Sequence, residues 1–400
     1  MPADRVLSGM RPTGALHLGH YHGALKNWVR LQSEHDCFFF VADWHALTTH
    51  YDSPEVIGAN VWEMVIDWLA AGVDPARSTL FIQSQVLEHA ELHLLLSMST
   101  PLGWLERVPT YKDQQEKLAD RDLSTYGFLG YPLLQAADIL MYRAAWVPVG
   151  EDQVPHVELT REVARRFNHL FGREPGFEAK AAEALRRLGG KRARHYEELR
   201  VRHQQDGDAQ ALVDAKALVE STQSLGPEDR ARLLGWLEGG RRRILVEPRA
   251  LLTEASKVPG LDGQKMSKSY GNAVGMREDP ASVTKKLRTM PTDPARVRRT
   301  DPGEPERCPV WQLHQVYSTE DTRAWVQQGC RSAGIGCLEC KQPVIDAVVA
   351  EQRVFIERAQ PYVEDPRRVR DIMDDGCERA RRAARETMRD VRDAMGLSYR

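Results

Sequence analysis

Ser8-Gly9-Met10-Arg11-Pro12-Thr13-Gly14-Ala15-Leu16-His17-Leu18-Gly19-His20 connects an apolar run that reads as a strand, residues 5–10, to a helical pattern over residues 21–31. The Gly/Pro turn ends the strand, and the next apolar spacing is that of a helix. A strand that hands over to a helix through such a turn is the start of an α/β unit. In open α/β sheets ligands gather beyond the carboxyl ends of strands, and a helix N-terminus there attracts phosphate. Gly19 would let a nucleotide base come close to the backbone. His17 and His20 can donate to phosphate oxygens as charge moves between them. Taken alone, a His-x-x-His pair reads more readily as two surface or core histidines.

Working outward, residues 37–42 (Cys-Phe-Phe-Phe-Val-Ala) form a continuous apolar run of the kind found in buried strands. Residues 80–83 and 146–149 read as third and fourth strands. Helical patterns cover 54–71, 90–98, 131–142 and 154–171. Strands alternating with helices at this spacing predict a parallel α/β sheet. From 177 to 243 the chain turns to Ala, Arg, Glu, Leu and Gln broken by glycine pairs, which predicts about three exposed helices inserted into the α/β domain. The α/β pattern resumes at 244–247. From 279 onward the chain reads as helical, apart from a Pro/Cys-rich stretch between Pro291 and Pro343. The expected division is a catalytic domain over 1–288, with 177–243 as its insertion, and a helical domain over 289–400.

The 400 residues carry 55 Lys+Arg against 57 Asp+Glu, a net charge of −2. That balance excludes a protein that coats nucleic acid by bulk charge, but not one that grips it locally. No apolar run reaches the ~20 residues that span a bilayer, and the first residues lack a signal-peptide pattern. The expectation is a cytoplasmic protein with no membrane partner.

Lys265-Met266-Ser267-Lys268-Ser269 follows Pro259-Gly260-Leu261-Asp262-Gly263, which cannot be regular helix. A loop with two lysines three apart can set two ammonium groups on one polyphosphate. With the His17–His20 segment it resembles the paired signatures of class I aminoacyl-tRNA synthetases. Two further segments narrow the resemblance to tryptophanyl-tRNA synthetases. One is Tyr131-Pro132-Leu133-Leu134-Gln135-Ala136-Ala137-Asp138-Ile139-Leu140-Met141-Tyr142. The other is Val147-Pro148-Val149-Gly150-Glu151-Asp152-Gln153, running on through His156–Arg161. The resemblance covers most of 5–172 and 244–290, and is looser at 371–392.

The resemblance implies a Rossmann-like nucleotide-binding catalytic domain followed by a mostly α-helical anticodon-binding domain. Tryptophan would be activated by ATP with Mg²⁺ and then passed to the terminal adenosine of tRNA(Trp). His17, His20, Lys265, Lys268 and Lys112 would supply catalytic charge. Arg11, Pro12, Thr13, Gly19, His20, Gly150, Glu151, Asp152 and Lys265 through Ser269 (with Met266 and Ser267) would hold ATP. Asp138, on a helix among apolar neighbours, would accept the indole N–H, since a buried carboxylate needs a donor and indole is a donor only. Tyr131, Gln135 and Gln153 would complete the tryptophan pocket. Three positions depart from the common bacterial pattern: His20 replaces Asn, Arg11 replaces Gln and Gln135 replaces Met. Tyrosyl-tRNA synthetases share the two signatures, but the run 154–161 disfavours them. A nucleotidyltransferase without tRNA could use the first signature alone, and a non-catalytic tRNA- or metal-binding paralogue would not need these residues intact.

Cys308, Cys330, Cys337 and Cys340 suit a tetrahedral metal site or an iron–sulfur cluster, and their spacing alone does not separate the two. A subset of tryptophanyl-tRNA synthetases carries a very similar pattern around a 4Fe–4S cluster, so the resemblance favours the cluster, with Zn²⁺ the alternative. It also implies a homodimer. Arginine clusters at 296–299, 367–370 and 381–385 read either as tRNA contacts or as solvated helix faces. In the insertion, Lys191, Arg192, Arg194 and Arg241 to Arg243 read as the surface of a structural hairpin, with tRNA contact the alternative.

Overall fold

The computed structural model describes residues 4–108, 125–172, 174–240, 242–252, 258–267 and 270–399. Lys112, Lys268 and Ser269 therefore lie outside the described residues. Five strands are β1 (Arg5–Met10), β2 (Asp36–Val41), β3 (Ser78–Ile82), β4 (Trp146–Val149) and β5 (Arg249–Leu252). They form one sheet in the order β3-β2-β1-β4-β5, with β1–β4 and β2–β3 paired in parallel. The predicted α/β class is the observed one. β2 reads as an unbroken apolar run because its residues 37–41 are all buried. That is the mark of a strand covered on both faces.

In chain order the helices of the first half are α1 (Leu18–His20), α2 (Lys26–Leu31), α3 (Asp43–His50), α4 (Glu55–Ala71), α5 (Glu88–Ser97), α6 (Leu102–Glu106), α7 (Tyr126–Met141) and α8 (Val154–Phe171). A π-helical turn, Tyr21–Leu25, joins α1 to α2. α7 starts five residues before the expected position, because the Thr125 hydroxyl accepts from the Phe128 amide and caps the helix there. The insertion holds four helices rather than three: α9 (Phe177–Leu188), α10 (Gly190–Asp206), α11 (Ala209–Ser221) and α12 (Pro227–Leu237). The remainder is α13 (Pro280–Thr289), α14 (Pro309–Tyr317), α15 (Glu320–Arg331), α16 (Cys337–Glu364) and α17 (Pro366–Met395).

The chain divides into two compact units. The first holds Met1–Ser8, Gln83–Leu251 and Cys377–Arg400, and the second holds Gly9–Ile82 and Leu252–Gly376. In the first unit, the α/β pattern resumes at β5 and not at 244–247. The amides of Ile244 and Leu245 donate to the Asn168 side chain at 2.8 and 2.9 Å, so they are not available to a strand ladder. The same asparagine donates to the Leu245 carbonyl, and the Arg242 amide bonds the Gly172 carbonyl at 2.9 Å. The inserted helices thus leave and return at one place, the end of α8. They enclose a core of their own, built on Leu188, Tyr196, Leu199, Val219, Leu233 and Leu237.

In the second unit, the Pro/Cys-rich stretch is more helical than its composition suggests. α14 and α15 lie within it and α16 begins in it. Pro309 is the first residue of α14, where a missing N–H removes no helical bond. Against β3 the approach is close: a Cβ on Gly376 would lie 1.7 Å from the Leu80 carbonyl oxygen. Trp28 stacks on Phe39 with centroids 4.2 Å apart, and Trp68 meets Trp28 edge-on.

Candidate active site

The expected site residues fall into two groups, one in each unit. In the second unit they lie just beyond the carboxyl end of β1. His17 caps α1 in extended backbone, and its amide donates to His20 Nδ1 at 3.2 Å. In a neutral ring that bond fixes the proton on His20 Nε2. The two rings lie against one another, centroids 3.8 Å apart and planes tilted by 33°. Gly19 makes this possible, since a Cβ there would sit 3.0 Å from the His17 ring. The turn before them is pinned from α4: Asp67 Oδ2 accepts from the Leu16 amide at 3.2 Å, and Asp67 Oδ1 accepts from Arg277 Nε at 2.5 Å. Burial raises the Asp67 pKa even so, against the pull of Arg277. Arg11 and Thr13 are exposed and Pro12 is buried.

The lysine loop returns to the same place. The Leu18 amide bonds the Val274 carbonyl at 3.0 Å and the Met276 amide bonds the Leu16 carbonyl at 3.1 Å. Buried Met266 has its Cβ 3.4 Å from the position a Cβ on Gly19 would take. The loop wraps around Asn272, which is buried. Asn272 Oδ1 accepts from the Ser267 amide at 2.7 Å, while its Nδ2 donates to Asp262 Oδ1 at 2.8 Å and to the Lys265 carbonyl at 3.2 Å. The Asn272 bond is the main reason the Asp262 carboxyl sits below its usual range. Gly260 leaves the space Asn272 needs, since a Cβ there would be 2.3 Å from Asn272 Nδ2. Lys265 projects from this loop exposed, with no carboxylate partner for its ammonium among the described residues.

In the first unit, Asp138 on α7 is fully buried. Gln83 Nε2 donates to both of its oxygens, at 2.8 and 3.0 Å, and His89 Nδ1 lies 2.6 Å from Oδ1. His89 Nε2 in turn meets the Tyr142 hydroxyl at 2.7 Å. Burial, and then the Asp138 charge, push the Tyr142 pKa well up, so its hydroxyl stays protonated. Since a carboxylate faces the Gln83 NH₂, Gln83 Oε1 must face away. That oxygen is buried with no hydrogen-bond partner among the described residues. Tyr131 meets buried His156 at a tilt of 38°, with its hydroxyl 3.5 Å from Nε2. Gln135 is half-buried on the same helix. Beyond β4, Glu151–Gln153 forms a 3₁₀ turn. There Gln153 Nε2 donates to Asp152 Oδ2 at 3.1 Å, and Gly150 leaves room for the Asp152 carboxylate, 2.9 Å from where a Cβ would be.

All four clustered cysteines lie in the second unit as free thiols. Cys308 caps α14, and Cys337 and Cys340 are in the first turn of α16. Arg296, buried itself, points Nη1 at Cys330 Sγ from 3.9 Å, and His314 Nε2 lies 3.5 Å from Cys340 Sγ. Burial drives the Cys340 thiol up to about 12, reinforced by Cys308, Cys330 and Cys337. Burial also drives His314 down to about 4. The thiols are thus near enough to feel one another. Among the described residues, however, no three His, Cys, Asp or Glu side chains converge closely enough to hold a metal ion.

A family model for class I tRNA synthetases of the W and Y type matches residues 3–189 and 216–351. A tryptophan–tRNA ligase of Ralstonia nicotianae is 74% identical over 99% of both chains. The chain belongs to the tryptophan–tRNA ligase family. The class I fold and aminoacyl-tRNA ligase activity follow from that membership. A Thermotoga maritima member is 43% identical, covering 99% of this chain and all of that one. The structure of tryptophanyl-tRNA synthetase from Campylobacter jejuni, complexed with ADP and tryptophan, superposes with a TM-score of 0.73 at 28% identity. It covers 98% of this chain and all of that one.

Against the family motifs, reading the sequence missed three members of the site. Gln83 and His89 grip Asp138, and Asn272 shapes the lysine loop. Neither Gln83 nor His89 belongs to a recognised signature. The only available signal was that a buried Asp138 requires donors. Several arginines read as possible tRNA contacts are already engaged within the fold. Arg296 is buried and bonded to the Ile335 carbonyl at 2.5 Å, Arg381 bonds the Gln85 carbonyl, and Arg385 pairs with Glu88. No helix among the described residues is long and apolar enough to cross a membrane.

Proposed function

We propose that the two groups of residues carry the two-step charging of tRNA(Trp) with L-tryptophan. The tryptophan carboxylate attacks the α-phosphate of ATP and releases pyrophosphate. The terminal ribose hydroxyl of the tRNA then attacks the carbonyl of tryptophanyl-adenylate. The substrate carboxylate is already ionised, so the first step needs no protein nucleophile and rests on positioning and charge stabilisation. In this reading His17, His20, Lys265, Lys268 and Lys112 supply charge to the phosphates. Arg11, Pro12, Thr13, Gly19, Gly150, Glu151, Asp152, Met266, Ser267 and Ser269 are its nucleotide-binding residues. Mg²⁺ arrives on the nucleotide's own phosphates and adds positive charge there.

The observation that carries the tryptophan assignment is the buried acceptor set. Asp138 is a fully buried carboxylate, and Gln83 Oε1 beside it is a further buried acceptor with no hydrogen-bond partner among the described residues, so the site presents acceptors to an indole N–H. A ligand without an N–H leaves these acceptors unmatched, which is how such a site rejects it. Tyr131, Gln135 and Gln153 line the remainder. The deciding experiment is amino-acid-dependent pyrophosphate exchange followed by tRNA charging. Exchange with tryptophan and not tyrosine is expected, and the reverse would overturn the assignment.

Cys308, Cys330, Cys337 and Cys340 would hold a metal centre, a 4Fe–4S cluster in preference to Zn²⁺. Four soft sulfur donors suit such a centre, and they would have to draw together to hold it, because no three of them converge among the described residues. Such a centre ties α14, α15 and α16 together and takes no part in the two-step chemistry. A broad visible absorption in anaerobically purified protein is expected, and a colourless protein with bound zinc would favour the alternative. The reading is completed by a homodimer in the cytoplasm, divided at about residue 288 into catalytic and anticodon-binding domains.

A further inference from the structure

The basic side chains of the inserted module are sorted by position. Lys180, Arg187, Arg202, Lys216 and Arg232 are each ion-paired with a carboxylate. Arg200 lies over the Trp236 ring and bonds Gln204, and Arg230 bonds the Thr222 carbonyl. Arg186, Lys191, Arg192 and Arg194 are exposed and have no hydrogen-bond or ion-pair partner in the described structure. These four fall within nine residues, at the corner between α9 and α10.

The α10 side of the corner contradicts helix energetics, whereas Arg186 sits in the last turn of α9, where a cation is favourable. The first turn of α10 has no acidic residue, and cations take its place. Cations at a helix N-terminus oppose the macrodipole, where an anion would be favourable. Four like charges crowded together also repel one another. Gly189 and Gly190 at the bend have open space on the side where a Cβ would point, so an incoming backbone meets no side chain there. An arrangement that is unfavourable in the free chain and relieved by an anion indicates a partner with several closely spaced negative charges.

We propose that this corner is a phosphate-backbone contact for the tRNA substrate. The module is rooted at the end of α8, whose 18 residues run about 27 Å from the Gln153 end. That is too far for tryptophan or its adenylate, and within reach of an RNA whose 3′ end is bound there. The inference rests on the charging reaction proposed above and adds a contact to it.

The test uses the full-length protein with Arg186, Lys191, Arg192 and Arg194 all changed to Gln. Tryptophan-dependent pyrophosphate exchange is expected to be unchanged. The KM for tRNA in charging is expected to rise by roughly tenfold or more at low salt. The slope of log KM against log salt should flatten by about 3, since fewer counterions are released. Two double variants, at 186/191 and 192/194, should each show part of the effect if the quadruple variant folds poorly. Removing two paired cations, with Arg202→Gln and Lys216→Gln, should change the tRNA KM less than twofold. An unchanged KM and salt slope in the quadruple variant overturns the contact. So does an equal loss in the 202/216 variant. Failure of the unaltered enzyme to exchange pyrophosphate with tryptophan would instead overturn the underlying reaction.

Discussion

Gln83 joins two roles in one side chain. Its NH₂ holds the Asp138 carboxylate and its oxygen waits for a donor. Gln83→Leu keeps the volume and removes both. The tryptophan KM in pyrophosphate exchange should rise about tenfold to a hundredfold, the cost of unsatisfied buried polar groups. An unchanged KM would mean that the site does not depend on Gln83. Gly19→Ala acts on the other half of the reaction, because the new methyl pushes on the His17 ring. It should lower the rate of adenylate formation roughly tenfold or more and leave tryptophan affinity alone. Lys268→Ala is expected to behave likewise, and unchanged pyrophosphate exchange in that variant would remove the lysine from the mechanism. At this scale the sequence was readable where a residue belongs to a signature, as His17, Lys265 and Asp138 do. It was not readable where a residue serves through a distant partner. Gln83 lies 55 residues from Asp138, and nothing local marks it.

Among the elements, the strands were legible because apolar runs such as Cys37 to Val41 have no other use. Misreadings arose where side chains, and not propensity, decide the backbone. Asn168 captures the amides at 244–245, and Thr125 starts α7 early. The inserted helices offer a test of electrostatics. Hydrogen bonds from Arg232, and then from Lys180, hold Glu174 down to about 2, below its usual 4.5. A lowered folded-state pKa stabilises above the unfolded value and loses that stability as pH falls through the folded one. Glu174→Gln should therefore melt earlier than the unaltered protein at pH 7. The difference should shrink between about pH 4.5 and pH 2 and vanish below. A melting difference that persists at acid pH would point to packing as the cause. In the second unit, Gly376→Ala would drive a methyl into the Leu80 carbonyl. A loss of about 3 kcal/mol, read as a lower unfolding midpoint, is expected.

For the molecule as a whole, near-zero net charge was a poor guide. The chain is slightly acidic overall, yet its arginines are divided between those that hold the fold and those that face outward without partners. Composition cannot make that division, because it depends on which carboxylate each guanidinium meets. The outward-facing cations include the corner of the insertion, which the sequence marked as the surface of a hairpin with tRNA contact the alternative.

The meeting of the insertion's two ends at Gly172 and Arg242 has an evolutionary meaning. A segment whose entry and exit share one hydrogen bond can be gained or lost in a single in-frame event without rethreading its host. The four-helix module can thus change in length at its far end while its root on α8, and the sheet beneath, keep their geometry.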